Sequence, residues 1–485
     1  MLVVIDAMKP AQLDRVLAEG RAPALQAIID RGAYVDAAVA PFPSVTPVCA
    51  ATIATGEPPD QHDIPGMNWY RRSEERYVEY GTSFKASQAF GFRRSLTDTI
   101  YNMNLEHLAY DVQTVFESLD DAGVRTAGTT YLMYRGRHRH EVAASETALT
   151  RLASTVFNRP VLGPRELFYA DLFASQRTGC RAQLGLPGVR DQHAGCVGAH
   201  LVEHDLFDFL LLSLPDNDTY SHRNGPDGQL TSIAAADAEI QRVMDAAGGT
   251  DAFLDEHAVI VCSDHAQSPV ADDIDLFRAF DGFEIMPPAG RRGLRDRPAD
   301  VAVCPSSRSA QVYVLAEERR REVARRVERT LLALDGVELT MRMTTHPDGE
   351  AAVRGDAGEL RFAPRGDLED AHGQRWSVEG DLDVLDLDVS DGRVRSETYP
   401  DALGRVWSAL RSPTTGEVLA SARPGYEFLD WGRSHHMGGG SHGALHADDS
   451  NAALLWCGTG PADGGAREQW TLRDVAAMVR EHFGV

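Results

Sequence analysis

The sequence predicts an α/β protein: a mostly parallel central sheet with helices on both faces, plus a smaller α+β insertion. Three observations carry this. Near-continuous apolar runs such as LVVI, FDFLLLS and AVIVCS read as strands buried on both faces. Segments with helical period alternate with those runs. A late acidic, glycine-rich stretch breaks the alternation.

In chain order, LVVID is a strand, and Ala11 to Arg31 has helical period, interrupted around Gly20 to Pro23 and stopped at Gly32. Pro41 and Pro43 close a strand, and Ala50 to Thr55 starts a helix after a tight turn. Val112 to Ala122 reads as a helix and RTAGTTYL as a strand. FDFLLLSLP is a strand, Ile233 to Ala247 a helix ending in Gly248-Gly249, and AVIVCSDH another strand. AQVYVL is a strand and Glu317 to Leu334 a charged helix. NAALLWC and a helix from Leu472 to Phe483 finish the chain. Thr345 to Asp401 differs, with 15 acidic residues against 6 basic ones, and reads as small surface hairpins. The expected division is a core of residues 1–270 and 431–485, with residues 271–430 inserted.

The 485 residues carry a formal charge of −24. That argues against non-specific binding to nucleic-acid duplexes or anionic membranes, which calls for clustered Lys and Arg. It leaves room for a small anionic substrate, because bound metal ions invert the local field. MLVVIDAMKP has neither the basic start nor the long apolar region of a signal peptide, and no run is long enough to span a bilayer. The six cysteines lack CxxC spacing and read as reduced, mostly buried thiols in a cytoplasmic protein. Oligomeric state is not legible.

Ligands of open parallel sheets bind beyond the carboxyl ends of the strands. Asp6 ends LVVI, Asp216 and Asp218 follow FLLLSLP, and Asp264-His265 end AVIVCS. One such Asp would be an ordinary helix cap. Three strands sending acids to one edge, with His222 four residues after Asp218, point to metal ligands. GGGSHGALH adds His442 among four glycines, where the backbone approaches closely. Asp and His together suit Zn²⁺, with Mn²⁺ or Fe competing. Six ligands exceed one open tetrahedral zinc, so two ions are the economical reading, and two-metal sites serve in-line displacement at phosphorus. PFPSVTPVCAATIATG offers Ser44 and Thr46 as hydroxyl nucleophiles near a helix start.

With these pieces assembled, the chain resembles the alkaline phosphatase superfamily, and within it the type I phosphodiesterase/nucleotide pyrophosphatase branch. Asp6 matches the Asp ending that branch's first strand. Thr46 matches its nucleophile, ten residues before Gly56 of a TG pair. Thr55, Gly56, Pro59 and His62 match TGxxPxxH; Asp218 and His222 match a loose PDxxGH; Asp264-His265 match DH; Gly440 to Gly443 match GxHG. The resemblance implies one metal held by Asp218, His222 and His442, and the other by Asp6, Thr46, Asp264 and His265. It also implies a covalent phospho-threonine on Thr46 and hydrolysis of phosphodiester or nucleotide pyrophosphate bonds in a small anionic substrate. The alternative is a phosphomonoesterase or phosphotransferase using the same two-metal site.

Four positions depart from the branch. Cys49 stands where an Asn amide often holds the phosphoryl group. Ala266 and Asp63 replace glycines after DH and after His62, and Ser221 replaces the Gly of GH. Sulfatases share the fold but need CxPxR. Here Thr46 and Ala50 occupy its Cys and Arg positions, and CPSSR at Cys304 to Arg308 reads as coincidence. Phosphoglycerate mutases of the superfamily use Ser and insert a domain nearer the nucleophile. Cys49, Trp69 and Tyr70 are the expected substrate contacts, and Arg135 or Arg137 of YRGRHRH could guide an anion. No Lys or Arg lies between Gly32 and Tyr70, which favours diesters over dianionic monoesters.

Overall fold

The computed structural model describes residues 1–142, 157–170, 172–181, 183–293, 298–344, 349–462, 464–465 and 467–485. Its first sheet has nine strands. Their order is Trp470–Thr471, Ala33–Val39, Asn451–Cys457, Val259–Cys262, Leu2–Ile5, Phe209–Leu214, Thr126–Thr129, Glu166–Tyr169 and Phe173–Ala174. Leu2–Ile5 is the middle strand and pairs in parallel with Phe209–Leu214 and Val259–Cys262. Asn451–Cys457 runs antiparallel to both its neighbours. Ile5 lies opposite Leu214 and Val4 opposite Cys262. This register sends Asp6, Asp216 and Asp264 out at one edge.

Alternation along each strand separates two cores. Leu2, Val4, Leu211, Ile260 and Cys262 face one side, where the helices Thr46–Thr55, Val115–Asp121 and Arg473–Phe483 pack. Val3, Ile5, Leu210, Leu212 and Val261 face the other, under Pro10–Ala18, Pro23–Arg31, Arg190–Glu203 and Gln229–Ala246. Each such fully buried Val, Leu or Ile contributes roughly 1.5–3 kcal/mol. The helix expected from Ala50 begins at Thr46 instead, because Pro47 in its first turn presets φ and needs no hydrogen-bonded N–H.

The second sheet also has nine strands, all drawn from residues 301–422 and antiparallel apart from one pairing at Glu369. The small antiparallel hairpins expected between Thr345 and Asp401 are present, but they join this larger sheet and share a core instead of standing alone on the surface. Residues 345–348 lie outside the described residues. The rest supplies Ala351–Gly355, Gly358–Glu369, Arg375–Gly380, Asp388–Ser390 and Arg393–Arg395 to this sheet. Leu360, Phe362, Trp376 and Leu385 face inward to a core closed by Val406 of the Ala402–Arg411 helix. Most of the described acidic residues of this stretch occupy turns and outward positions, and the buried Asp370 accepts the Trp376 ring N–H, so acidity did not preclude a core. The cysteine reading is corrected too: Cys180 and Cys196 form a disulfide, with Cα atoms 5.9 Å apart, while Cys49, Cys262, Cys304 and Cys457 are buried and free. No described helix is long and apolar enough to cross a membrane.

One buried ion pair joins the two sheets. Arg308 follows Ser307, a turn residue at φ +57°, and its Nη1 donates to Asp449 Oδ1 at 2.5 Å with both side chains fully buried. Arg308 also donates through Nε to the Tyr426 carbonyl and through Nη2 to that of Arg423. Asp449 accepts Ser268 Oγ at 2.5 Å and the Ala444 N–H at 2.8 Å. The CPSSR segment that read as coincidence therefore has a structural task at its Arg. Removing one partner of a buried pair leaves an uncompensated charge and costs about 3–5 kcal/mol. Asp449→Ala should lose that much in chemical denaturation. A loss under about 1 kcal/mol would show that the pair does not join the sheets.

Candidate active site

The site is assembled from three strand ends and two loops. The Asp6 N–H donates to the Leu214 carbonyl, and Asn217 Nδ2 donates to the Asp6 carbonyl at 2.8 Å, fixing the turn after the first strand. Asp264 Oδ1 accepts the N–H groups of Ala7 and His265, both at 3.0 Å. Asp218 and His222 share one face of the Asp216–Asn224 helix, with His222 Nε2 at 3.3 Å from Asp218 Oδ1. His442 Nε2 approaches the same oxygen at 3.7 Å, and the His442 ring stacks on His265 at 3.8 Å between centroids. Thr46 opens its helix with Oγ1 at 3.2 Å from His265 Nε2. Ser44 is turned away: its hydroxyl donates to the Ala444 carbonyl at 3.0 Å and is fully buried.

The three imidazoles share one arrangement. His222 Nδ1 meets the Gly440 carbonyl at 2.7 Å, His442 Nδ1 that of Ser44 at 2.9 Å, and His265 Nδ1 that of Ala266 at 3.1 Å. A carbonyl only accepts, so each Nδ1 carries a proton; on His265 and His442 this leaves Nε2 to present its lone pair to the site, while His222 Nε2 faces Asp218. Donor atoms of Asp6, Asp264 and His265 lie within 4.8 Å of one another, as do those of Asp218, His265 and His442. His265 stands in both groups. His222, which the resemblance assigned beside His442, reaches Asp218 from outside the second group.

The electrostatics are those of crowded anions. Burial, then Asp264 and Asp218, raise the Asp6 carboxyl well above its usual range. Burial chiefly pushes Asp264 up to about 6. Burial also opposes the charge on Asp218, but His222, His442 and His265 outweigh it and hold that carboxyl low. Burial would lower His222, yet Asp218 lifts it to about 9. Burial takes His265 down to about 4 and His442 to about 3, so both rings are neutral. Asp6 Oδ1 is buried without any hydrogen-bond partner. Three close carboxylates, inward-facing imidazole lone pairs and an orphaned carboxylate oxygen fit divalent cations.

Other expected residues fall elsewhere. Trp69 and Tyr70 are 2% and 3% exposed and belong to the core, packed on His107 and on Tyr77 and Tyr313. Their proposed contact with substrate is corrected by that burial. Cys49 is fully buried, its thiol kept neutral first by burial and then by Asp264, so it adjoins the site without a surface of its own. Arg135 is engaged with Glu117 and the carbonyls of Leu108 and Ala109; Arg137 is engaged with Glu117 and Asp121. Neither is free to guide an anion into the site. His62 is internal, bonded to Thr52 Oγ1 and the Ile64 N–H. Sequence reasoning missed Gln267, whose Nε2 donates to Asp218 Oδ1 at 2.5 Å. It also missed His436, stacked on His222 at 4.0 Å and held by the buried Glu427. The two consecutive histidines before the glycine run were the available signal.

Comparison with known proteins agrees with this geometry. A family model described as type I phosphodiesterase/nucleotide pyrophosphatase matches residues 1–445. Phosphonoacetate hydrolase from Sinorhizobium meliloti 1021 is similar in structure, with TM-score 0.56, 17% identity, and coverage of 99% of this chain and 94% of that one. Murine ectonucleotide pyrophosphatase/phosphodiesterase 5 is similar with TM-score 0.59 at 12% identity, covering 100% and 94%, and has also been solved with AMP. The human counterpart gives TM-score 0.56 at 13% identity over 100% and 94%. No curated protein sequence matches the chain.

The glycine run before His442 is where the site tolerates least. A Cβ on Gly439 would lie 2.0 Å from the His222 carbonyl oxygen, a main-chain atom that cannot swing aside. Gly439→Ala should push the His222 turn from the His442 loop. Displacements near 1 Å cost about 10²-fold in rate, with overpacking adding about 1–3 kcal/mol of instability. Steady-state kinetics with thermal melting check this. Unchanged kcat/KM would mean that the two segments need not be this close.

Proposed function

The chain belongs to the type I phosphodiesterase/nucleotide pyrophosphatase family, and from that premise we propose that it hydrolyses phosphodiester or nucleotide pyrophosphate bonds through a covalent phospho-threonine. What carries this reading is the convergence of Asp6, Asp218 and Asp264 with His265 and His442 beside the Thr46 hydroxyl. Asp218, His222 and His442 would hold one divalent ion; Asp6, Asp264, His265 and Thr46 Oγ1 the other, zinc being the best match to the donors. When bound, such ions supply Lewis acidity, easing deprotonation of a hydroxyl and offsetting charge on phosphoryl oxygens.

The residues do the rest. Thr46 sits at the first position of its helix, so its oxygen faces the helix N-terminal dipole as it becomes an anion. Thr46 Oγ1 attacks phosphorus, losing its proton to solvent. The bond from phosphorus to the leaving oxygen breaks, and that oxygen takes a proton. Water then attacks the phospho-threonine, releasing the phosphoryl product and restoring the hydroxyl. The AMP bound by the murine relative supports a nucleotide-type substrate. A phosphomonoesterase or phosphotransferase would share the first step and differ in substrate charge or acceptor. The cytoplasmic location expected from the sequence meets a counterweight in the Cys180–Cys196 disulfide, since such bonds persist in oxidising compartments.

The nucleophile and its ions are tested together. Protein purified without chelator should carry close to two ions per chain by elemental analysis. Thr46→Ala should keep at least the ions' other ligands and the fold, while turnover falls by roughly three orders of magnitude or more. Ser44→Ala should be mild by comparison. One ion or none even after adding zinc or manganese, or exchanged effects of the two substitutions, would reject the assignment.

Substrate charge is tested separately. With Arg135 and Arg137 committed elsewhere, and Arg190 spending Nε on Asp216 and Nη2 on Pro215 and Thr219, a monoester's extra charge finds little help from side chains. kcat/KM for bis(para-nitrophenyl) phosphate or a nucleotide pyrophosphate should exceed that for para-nitrophenyl phosphate. A monoester preference of about tenfold or more would favour the phosphatase alternative.

A further inference from the structure

Away from the strand ends, the second sheet carries a groove of about 690 Å³ between the Arg320–Leu332 helix, the strands Val337–Met343 and Gly358–Glu369, and residues 415–417. It shares no lining residue with the site described above. Arg320, Arg321, Arg325, Arg342 and Arg361 line it, in a chain of formal charge −24. Its size lies within the range of small-ligand sites.

The charges around it are unevenly satisfied. The lining carboxylates are engaged. Glu417 accepts Arg72 through both oxygens at 2.6 Å and the Val314 N–H at 2.7 Å. Glu359 is held by Arg354 and Arg361, and Glu350 accepts the Thr344 hydroxyl. Among the described residues, Arg321 and Arg325 have neither hydrogen bond nor ion pair. Arg320 stands 3.6 and 3.7 Å from its nearest carboxylates, beyond hydrogen-bond reach. Two exposed guanidinium groups therefore present free donor forks along one helix, beside Arg320, which is only loosely ion-paired to Glu317 and Glu417.

We propose that this groove binds a small condensed-phosphate anion, with two or more phosphoryl groups in a row. Guanidinium forks match phosphoryl oxygens in pairs, and several forks spread along a groove call for several anionic groups. No aromatic side chain stands among the described lining residues, so nothing there stacks on a nucleobase. The acidic remainder of the chain would repel a long polyanion such as nucleic acid. The inference stands independently of the reaction proposed for the strand-end site.

The test is calorimetric titration of inorganic triphosphate into metal-loaded Thr46→Ala protein, in excess magnesium so that the probe does not strip the protein's ions. Orthophosphate serves as the second probe. Three proteins are compared first: the groove intact, R321Q/R325Q, and R329Q, which removes a charge from the same helix outside the groove. Triphosphate binding should weaken at least tenfold in R321Q/R325Q, hold in R329Q, and exceed orthophosphate binding by at least tenfold. R321K/R325K, which keeps the charge and loses the forks, should fall between. Absence of binding to the intact groove, equal titrations in all three proteins, equal weakening in R329Q, or orthophosphate binding as tight as triphosphate would each overturn the proposal. Matching melting temperatures exclude misfolding as the cause of a loss.

Discussion

The Arg308–Asp449 pair is the constraint on which the arrangement of the molecule rests. Asp449 closes the short turn before the Asn451–Cys457 strand, and its carboxylate gathers Ser268, after the Asp264-His265 strand end, and Ala444, after His442. Its own carbonyl accepts the Ala266 N–H, and the Arg308 N–H donates to the His442 carbonyl. A single buried carboxylate thus holds both histidine-bearing loops, and a single guanidinium locks them to the second sheet. Buried charges of this kind are expensive unless fully bonded. Here each guanidinium nitrogen has a partner.

That anchoring matters because the site works against itself electrostatically. Asp6, Asp218 and Asp264 crowd one another; burial first, and then the neighbouring carboxylates, among them Asp218, raise Asp6 and Asp264. Left to local forces, the carboxylates would separate or take up protons. Strand register holds two of them, since Asp6 and Asp264 leave neighbouring strands at one edge. The helix beginning at Asp216 holds the third, itself tied to Arg190 through Asp216. The histidines are held by main-chain carbonyls at Nδ1, which for the neutral His265 and His442 sets the tautomer. The repulsion is thereby stored in a rigid frame, and offsetting it falls to cations.

Much of this was legible in the sequence, for identifiable reasons. Parallel strands buried on both faces announce themselves as apolar runs, and polar residues directly after such runs have one place to go. Asp6, Asp218, His222, Asp264, His265 and His442 could therefore be named before their geometry was known. The second sheet was less legible, because several of its strands alternate and are acid-rich, and the strand that ties its hairpins together, Val418–Ala422, pairs with segments far back along the chain. Gln267 and Glu427 escaped because a residue that orients a ligand has no spacing of its own. Cys180 and Cys196 escaped because helix and loop geometry, which composition does not reveal, brings them together. Trp69 and Tyr70 misled through proximity in sequence to Thr46; the Asn68–Arg71 strand turns their rings into the core.

The departures from the family motifs fall where backbone geometry decides how much they matter. Asp63 replaces a glycine at φ +67°, a left-handed position that Asp tolerates better than most residues. Ser221 lies inside a helix, where glycine has no conformational advantage, and its buried hydroxyl is bonded by Gln229 Nε2 at 3.0 Å. Ala266 keeps both groups its position uses, the N–H donated to Asp449 and the carbonyl that meets His265 Nδ1. None of the three removes an inward-facing donor atom from the strand-end cluster. Cys49 is different in kind. Its thiol, held neutral by burial, is a weak hydrogen-bond donor compared with an amide. With no exposed surface, Cys49 leaves the frame alone and puts no donor in the place of the amide that the family often has there.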